Sequence, residues 1–222
     1  VKIKYRRSVL GVLWTLLNPL CMMIILSVVF SNIFKFDIEN FPLYVLSGQV
    51  IFNFFNDATT SSMTAIINNA ALLKKIYVPK YLFVLARIFS SFINLMASFT
   101  ALLLVMVAVR AELHWTLFLS WFPLLMVVVF SLGVGMLLAA LTVRFRDIMH
   151  LYSVFTTGLM YLTPVIYPMS MLPDRIRSIV LLNPLTNYLE MFRNLAFYNT
   201  LPSFSSVVVG GLEGAAAIGL GV

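Results

Sequence analysis

One cysteine and two histidines leave this chain little metal or nucleophile chemistry. Cys21 lies inside an apolar run, so no disulfide closes within the chain and no cysteine-based metal cluster can form. His114 and His150 are far apart in sequence, and no metal site is expected. There is no G-x-x-x-x-G-K-[ST] phosphate loop, no G-x-G-x-x-G fingerprint, no H-E-x-x-H and no G-x-S-x-G. A catalytic set would therefore need a long-range coincidence, and no catalytic residue is assigned. Any ATP-driven work requires a separate subunit, and no cofactor is expected on this chain. The N-terminus lacks the charged, apolar and small-residue regions of a signal peptide. The chain begins without Met and ends in an apolar run, so both ends are expected to be trimmed.

Charge is scarce as well: 10% of residues are charged and 61% are hydrophobic. A soluble domain carries about 25% charge. The apolar residues fall in runs near the ~20 residues that cross a bilayer. The expected fold is all-α, a polytopic membrane protein whose residues 1–222 form one transmembrane domain. The net charge of +7 reads as the bias that keeps Lys and Arg on the cytoplasmic side, not as a nucleic-acid surface.

Six spans are expected. The first runs roughly over residues 12–34, preceded by Lys2, Lys4, Arg6 and Arg7 and interrupted by Asn18-Pro19. Trp14 sits where an interfacial aromatic belt lies. The second, about 43–67, carries Gln49, Asn53, Asn56, Asp57, Thr60 and Thr64 on one stripe. Lipid does not tolerate that face. It either bonds other helices or lines a wet path. The third, about 81–109, carries Arg87, Ser91, Asn94 and Ser98 at helical spacing. An intramembrane arginine needs a partner, and Asp57 lies within a few ångströms of its depth by helical rise. An Asp57–Arg87 pair is the expectation.

The fourth span, about 117–143, has Ser131, Gly135 and Ala139 at four-residue steps, a close-packing pattern. The fifth, about 148–166, ends in TPVIYP, where Pro164 and Pro168 break the helix. Two short helices should follow, re-entrant or on the outer surface. Asn183 is placed to cap the second, with Pro184 at its first position. Glu190 and Arg193 form an i, i+3 pair in it. The last span starts near Pro202 and shows Gly211, Ala215 and Gly219 as a second packing series, with Glu213 unexplained.

This count puts both termini inside, and the inner segments then hold more Lys and Arg than the outer ones. The cytoplasmic surface open to an ATPase is short. It comprises the basic N-terminal segment, Asn69 to Lys80, and Arg144 to Asp147. Between Asn68 and Lys80 the chain reads NNAALLKKIYVPK: about two turns of amphipathic helix stopped by Pro79, or else a basic loop.

KYRRSVLGVLWTLLNPL, LSGQVIFNFF, NNAALLKKIYVPK, RFRDI, TPVIYP and LNPLTNYLEMFRN occur in that order. Together they resemble the membrane subunit of polysaccharide-exporting ABC transporters, the permeases for O-antigen, wall teichoic acid and some capsules. The resemblance implies a homodimer of six-span subunits in the bacterial cytoplasmic membrane, with two ATPase subunits below that bind the ATP and Mg. The load is a lipid-linked glycan. By this resemblance the N-terminal stretch is the end of an interface helix along the membrane surface. Asn69, Ala70, Leu72, Leu73, Lys74, Lys75, Tyr77 and Pro79 form a coupling helix, with Arg144, Arg146 and Asp147 beside it. The short helices carrying Asn183, Pro184, Glu190 and Arg193 become outer gate helices, entered through Pro164 and Pro168. Trp14, Phe30, Phe34, Tyr152, Phe155 and Tyr161 are candidates to line the glycan channel, because a sugar's apolar C–H face slides over aromatic rings.

Two other loads or mechanisms stand beside this reading. The same machinery serves drug or small-lipid exporters. An ion-coupled secondary transporter would use coupling carboxylates such as Asp57 or Glu213, but it would also want two repeated halves, and no internal repeat is present.

Overall fold

The computed structural model describes residues 13–33, 40–73, 75 and 77–222, without side-chain detail for 31–33. Lys2, Lys4, Arg6, Arg7, Phe34, Lys35 and Lys74 lie outside the described residues, as does the expected interface segment. The described chain is helical, with no strand among the described residues. Ten α-helices follow one another: α1 Trp14–Ile33, α2 Phe41–Met63, α3 Ala65–Asn68, α4 Ala70–Leu73, α5 Tyr81–Ala108, α6 Trp121–Arg144, α7 Ile148–Leu162, α8 Asp174–Leu181, α9 Pro184–Ala196 and α10 Phe204–Gly221. A 3₁₀ segment, Trp115–Ser120, leads into α6.

Among the described residues three stretches are long and apolar enough to cross a membrane: Tyr81–Ala108, Trp115–Arg144 and Phe204–Gly221. Trp14–Phe30 and Ile148–Leu162 are shorter apolar helices. At ~1.5 Å per residue α2 also has the length, but its polar residues dilute its apolar character. Its position resolves the conflict. Every residue from Leu43 to Phe52 is buried, so this helix meets other helices where a peripheral one would meet lipid. It packs against α1, α5, α6, α7 and α9.

Breaks fall where local chemistry puts them. Pro42 stands in the first turn of α2 behind Asn40, which is in the left-handed conformation (φ 55°) that Asn tolerates. Pro19 is accommodated inside α1. The helix α7 stops at Leu162, four residues short of expectation, because Thr163 is already extended before Pro164. The expected two-turn helix in NNAALLKKIYVPK is shorter: α4 covers only Ala70–Leu73. A single turn with no buried side chain gains nothing to offset helix nucleation.

The tightest approach is between α6 and α10. A Cβ on Gly133 would overlap the backbone of Ala217 and Ile218, so the two helices touch main chain to main chain. Gly135, in the expected series, instead faces α2, where a Cβ would come within 2.9 Å of Ser62 Oγ. In α10 the packed face is Gly210, Gly214 and Ala217, each buried. The expected series is thereby corrected: Gly211 and Gly219 face open space. Both faces of α10 carry small residues at helical spacing, and the composition did not distinguish them.

Gly133→Val should lower the unfolding midpoint of the detergent-solubilised protein, costing about 2 kcal/mol or more through overpacking. Gly219→Val, on the open face, should leave it within about 0.5 kcal/mol. Denaturant titration followed by circular dichroism reads both.

Candidate functional site

The two polar stripes read separately from the sequence face one another. Gln49, Asn53 and Asp57 of α2 line a cleft with Ser91, Asn94 and Ser98 of α5. The α1 residues Trp14, Thr15, Asn18 and Pro19 complete it. Its volume is about 380 Å³, within the range of small-molecule sites, about 300–1,000 Å³. The stripes therefore bond across helices at Asp57 and leave a polar space between them.

Asp57 shows the bonding. Ser91 Oγ donates to its Oδ2 at 2.9 Å and Asn94 Nδ2 at 3.2 Å. Arg87, one turn before Ser91 on α5, is exposed, and among the described residues no ion pair joins it to Asp57. The expected Asp57–Arg87 pair is thus corrected. The short aspartate is already met by two neutral donors on the facing helix, while arginine's long stem carries its charge outward.

Of the aromatic channel candidates, Trp14 sits at the cleft and is 40% exposed. Phe30 is half-buried, while Phe155 and Tyr161 are exposed. Tyr152 is corrected. It is buried, and its hydroxyl donates to Thr59 Oγ1 of α2 at 2.7 Å, which leaves it no free face for a channel. Its ring also lies 5.9 Å from that of Phe155.

At one end of the bundle α3 packs against α5 and α6, and α4 projects beyond it. Leu72 is 44% exposed and Tyr77 is fully exposed. Lys75, Pro79 and Ala70 are exposed too, and Leu73 is half-buried. Asn69 is held in place, its Nδ2 donating to Ala65 O at 2.7 Å. Arg144, Arg146 and Asp147 stand exposed at the end of α6. Apolar and basic side chains thus stand side by side and exposed at this end among the described residues.

At the other end, a single side chain organises the connection from α7 to α8. Arg193 of α9 is 4% exposed. Its Nη1 donates to Pro164 O at 2.8 Å and its Nη2 to Tyr44 O at 2.9 Å and Val165 O at 3.2 Å. Its Nε donates to Ser47 Oγ at 3.1 Å. The guanidinium lies 3.5 Å from the centre of the Tyr44 ring, a cation–π contact in a dry site. Glu190 is half-buried and makes no ion pair with Arg193 among the described residues. The expected i, i+3 pair is thus reduced to a charge interaction without direct contact. The orphan carbonyls of the broken helix offer the arginine's fork more bonds than one carboxylate would.

Around this anchor, Asn183 performs the predicted cap. Its Oδ1 accepts from Leu185 N at 3.1 Å and its Nδ2 donates to Thr163 Oγ1 at 2.9 Å. Pro184 opens α9, and Pro164 is buried in the turn while Pro168 is half-buried. Tyr44 Oη donates to Tyr167 O at 3.0 Å. A Cβ on Gly48 would come within 2.8 Å of Val165 Cα, so only glycine admits the turn against α2. Glu213 points inward from α10, with Oε2 buried and unpartnered. Tyr44, Ser47, Gly48 and Thr59 escaped the sequence reading. LSGQ offers no periodic signal for a residue that meets another element's backbone.

Residues 1–197 match the family described as ABC-2 type transporter. The chain is 29% identical over 204 residues to the O-antigen export system permease protein RfbA of Myxococcus xanthus, covering 91% of this chain and 78% of that protein. It is 25% identical over 213 residues to the RfbA of Klebsiella pneumoniae, covering 94% and 81%. The polysialic acid transport protein KpsM of Escherichia coli is 23% identical over 199 residues, covering 87% and 76%.

Replacing Arg193 with Met should destabilise the protein by about 3 kcal/mol or more, since buried carbonyls of α2 and the turn lose their donor. Glu190→Gln should change stability by less than about 0.5 kcal/mol. Denaturant unfolding in micelles separates the two; equal effects would favour an ion pair between them.

Proposed function

The chain belongs to the ABC-2 type transporter family, and from that premise we propose that it is the permease subunit of an ATP-driven exporter of a lipid-linked polysaccharide. The observation that carries this reading is similarity along nearly the whole chain to permeases named for O-antigen and capsule export. Two of those relatives, CtrC of Neisseria meningitidis and BexB of Haemophilus influenzae, are named as inner-membrane proteins. The cytoplasmic membrane is accordingly the proposed location, with six spans and both termini inside. Here α2 and α7 count as spans, and α8 and α9 as the outer gate helices.

Two copies of the chain form the channel, and two ATPase subunits bind the ATP and Mg. The surface that meets each ATPase is the end bearing α4. An exposed Leu72 beside Lys75 and Tyr77 supplies the apolar and basic faces that a protein groove covers. Arg144, Arg146 and Asp147 border it. A domain motion in the ATPase reaches the bundle through α3, which packs on α5 and α6. The exposed aromatics Phe155 and Tyr161 are the channel-lining candidates that remain on α7, and Trp14 and Phe30 those on α1. Neutral glycan would pass with weak, repeated contacts.

A gentle-detergent pull-down should bring down an ATPase in equal stoichiometry, two with two, and deletion of the gene should remove a surface glycan. A chain isolated alone, with export untouched by ATP depletion, would overturn the reading. Within the complex, Leu72→Glu combined with Leu73→Glu should leave the protein in the membrane, abolish export and release hydrolysis from transport. Glycan surface staining alongside ATPase assays measures it, and normal export would count against the coupling role.

A further inference from the structure

The cleft between α1, α2 and α5 is more polar than helix packing requires. Packing explains Asp57, whose Oδ2 takes two bonds. It does not explain Gln49, which is 3% exposed, lines the cleft and has Oε1 buried without a partner. Leaving a buried acceptor unmet costs about 1–3 kcal/mol, so the arrangement suits a ligand that donates to it. Asn53, by contrast, stands exposed at the cleft with its amide free to bond.

The lining chemistry selects the ligand. Asn18, Asn53 and Asn94 offer amide donors, while Gln49 Oε1 and Asp57 offer acceptors. A hard cation would take the amide and hydroxyl oxygens of this set, but Asp57 is the one charged ligand among the lining residues and its Oδ2 is already committed to two donors. A phosphate would meet the acidic Asp57, and no Lys or Arg lines the cleft among the described residues. A hydroxyl both donates and accepts, which matches the mixture. Trp14 adds a broad ring at the same cleft, suited to the apolar C–H face of a sugar. We infer that this cleft is a binding subsite for a short, neutral, hydroxyl-rich segment of glycan, held by Gln49, Asn53 and Asp57 against Trp14. The inference rests on the export reading for its ligand class. At about 380 Å³ the cleft holds a short segment, so it acts as a grip beside the main path.

The chain has three tryptophans, and Trp115→Phe with Trp121→Phe leaves Trp14 as the one reporter. In lipid nanodiscs, the full chain in this background is titrated with mannotriose and chitotriose, and with tetramethylammonium and inorganic phosphate as controls. At least one trisaccharide should shift Trp14 emission saturably. Asn53→Leu and Gln49→Met should each weaken that titration about tenfold or more, while emission without probe stays as in the parent. The inference is overturned if neither trisaccharide shifts the emission, if both variants titrate like the parent, or if a control ion saturates the signal in place of the sugars. In parallel, cells deleted for the gene are complemented with the chain and stained for surface glycan. Failure to restore glycan counts against the export reading. The nanodisc titration still decides the subsite. Restored glycan with silent trisaccharides removes the subsite alone.

Discussion

A guanidinium buried among backbone carbonyls holds the broken turn after α7 in place. The prolines of TPVIYP end α7 and strip Pro164 and Val165 of helical hydrogen-bond partners, in a region too buried for water to serve them. Arg193 meets both carbonyls and also reaches Tyr44 O and Ser47 Oγ of α2. One side chain thereby joins α9, the turn and the central helix. Irregular backbone shut off from water is tolerated only where protein groups satisfy it. The position of α9, and of Asn183 and Pro184 at its start, follows from that requirement.

The central helix carries the second constraint. Its first half is buried on all sides, and its second half carries the polar stripe. Polar side chains there are stable only when other helices meet them. Ser91 and Asn94 meet Asp57, and Tyr152 meets Thr59. The bundle thus closes around α2 by satisfying polar groups and by main-chain approach at glycines, since burial of apolar surface gives helices little reason to associate in lipid. The cleft beside Gln49 is one of the places where this satisfaction is incomplete, and it adjoins α1, an element of the proposed channel.

Much of the fold was legible in the chain. Runs of apolar residues located the helices, prolines located their breaks, and the Asn183 cap followed from Asn-Pro before an apolar segment. The polar stripes on α2 and α5 were each legible, because a 3.6-residue period belongs to a single helix. The errors share one cause. Asp57 with Arg87, Glu190 with Arg193, Tyr152 in a channel, and Gly211 with Gly219 on a packing face were all choices of partner or direction. Charge complementarity suggested ion pairs, yet neutral donors and backbone carbonyls were nearer and better placed. Sequence spacing carries no information on how one helix is rotated against another.

The sequence by itself determined a helical membrane protein, the order of its helices, the absence of a nucleotide-binding loop and, through its ordered motifs, the family. Each of these depends on composition or on neighbours within a few residues. Tertiary structure alone decided that Arg193 turns inward, that α10 packs through Gly210, Gly214 and Ala217, and that the two stripes enclose a cleft with α1. Those outcomes depend on the depth and rotation of helices far apart in the chain. They are set by which arrangement leaves the fewest buried polar groups unmet, a sum over the whole bundle that no single segment encodes.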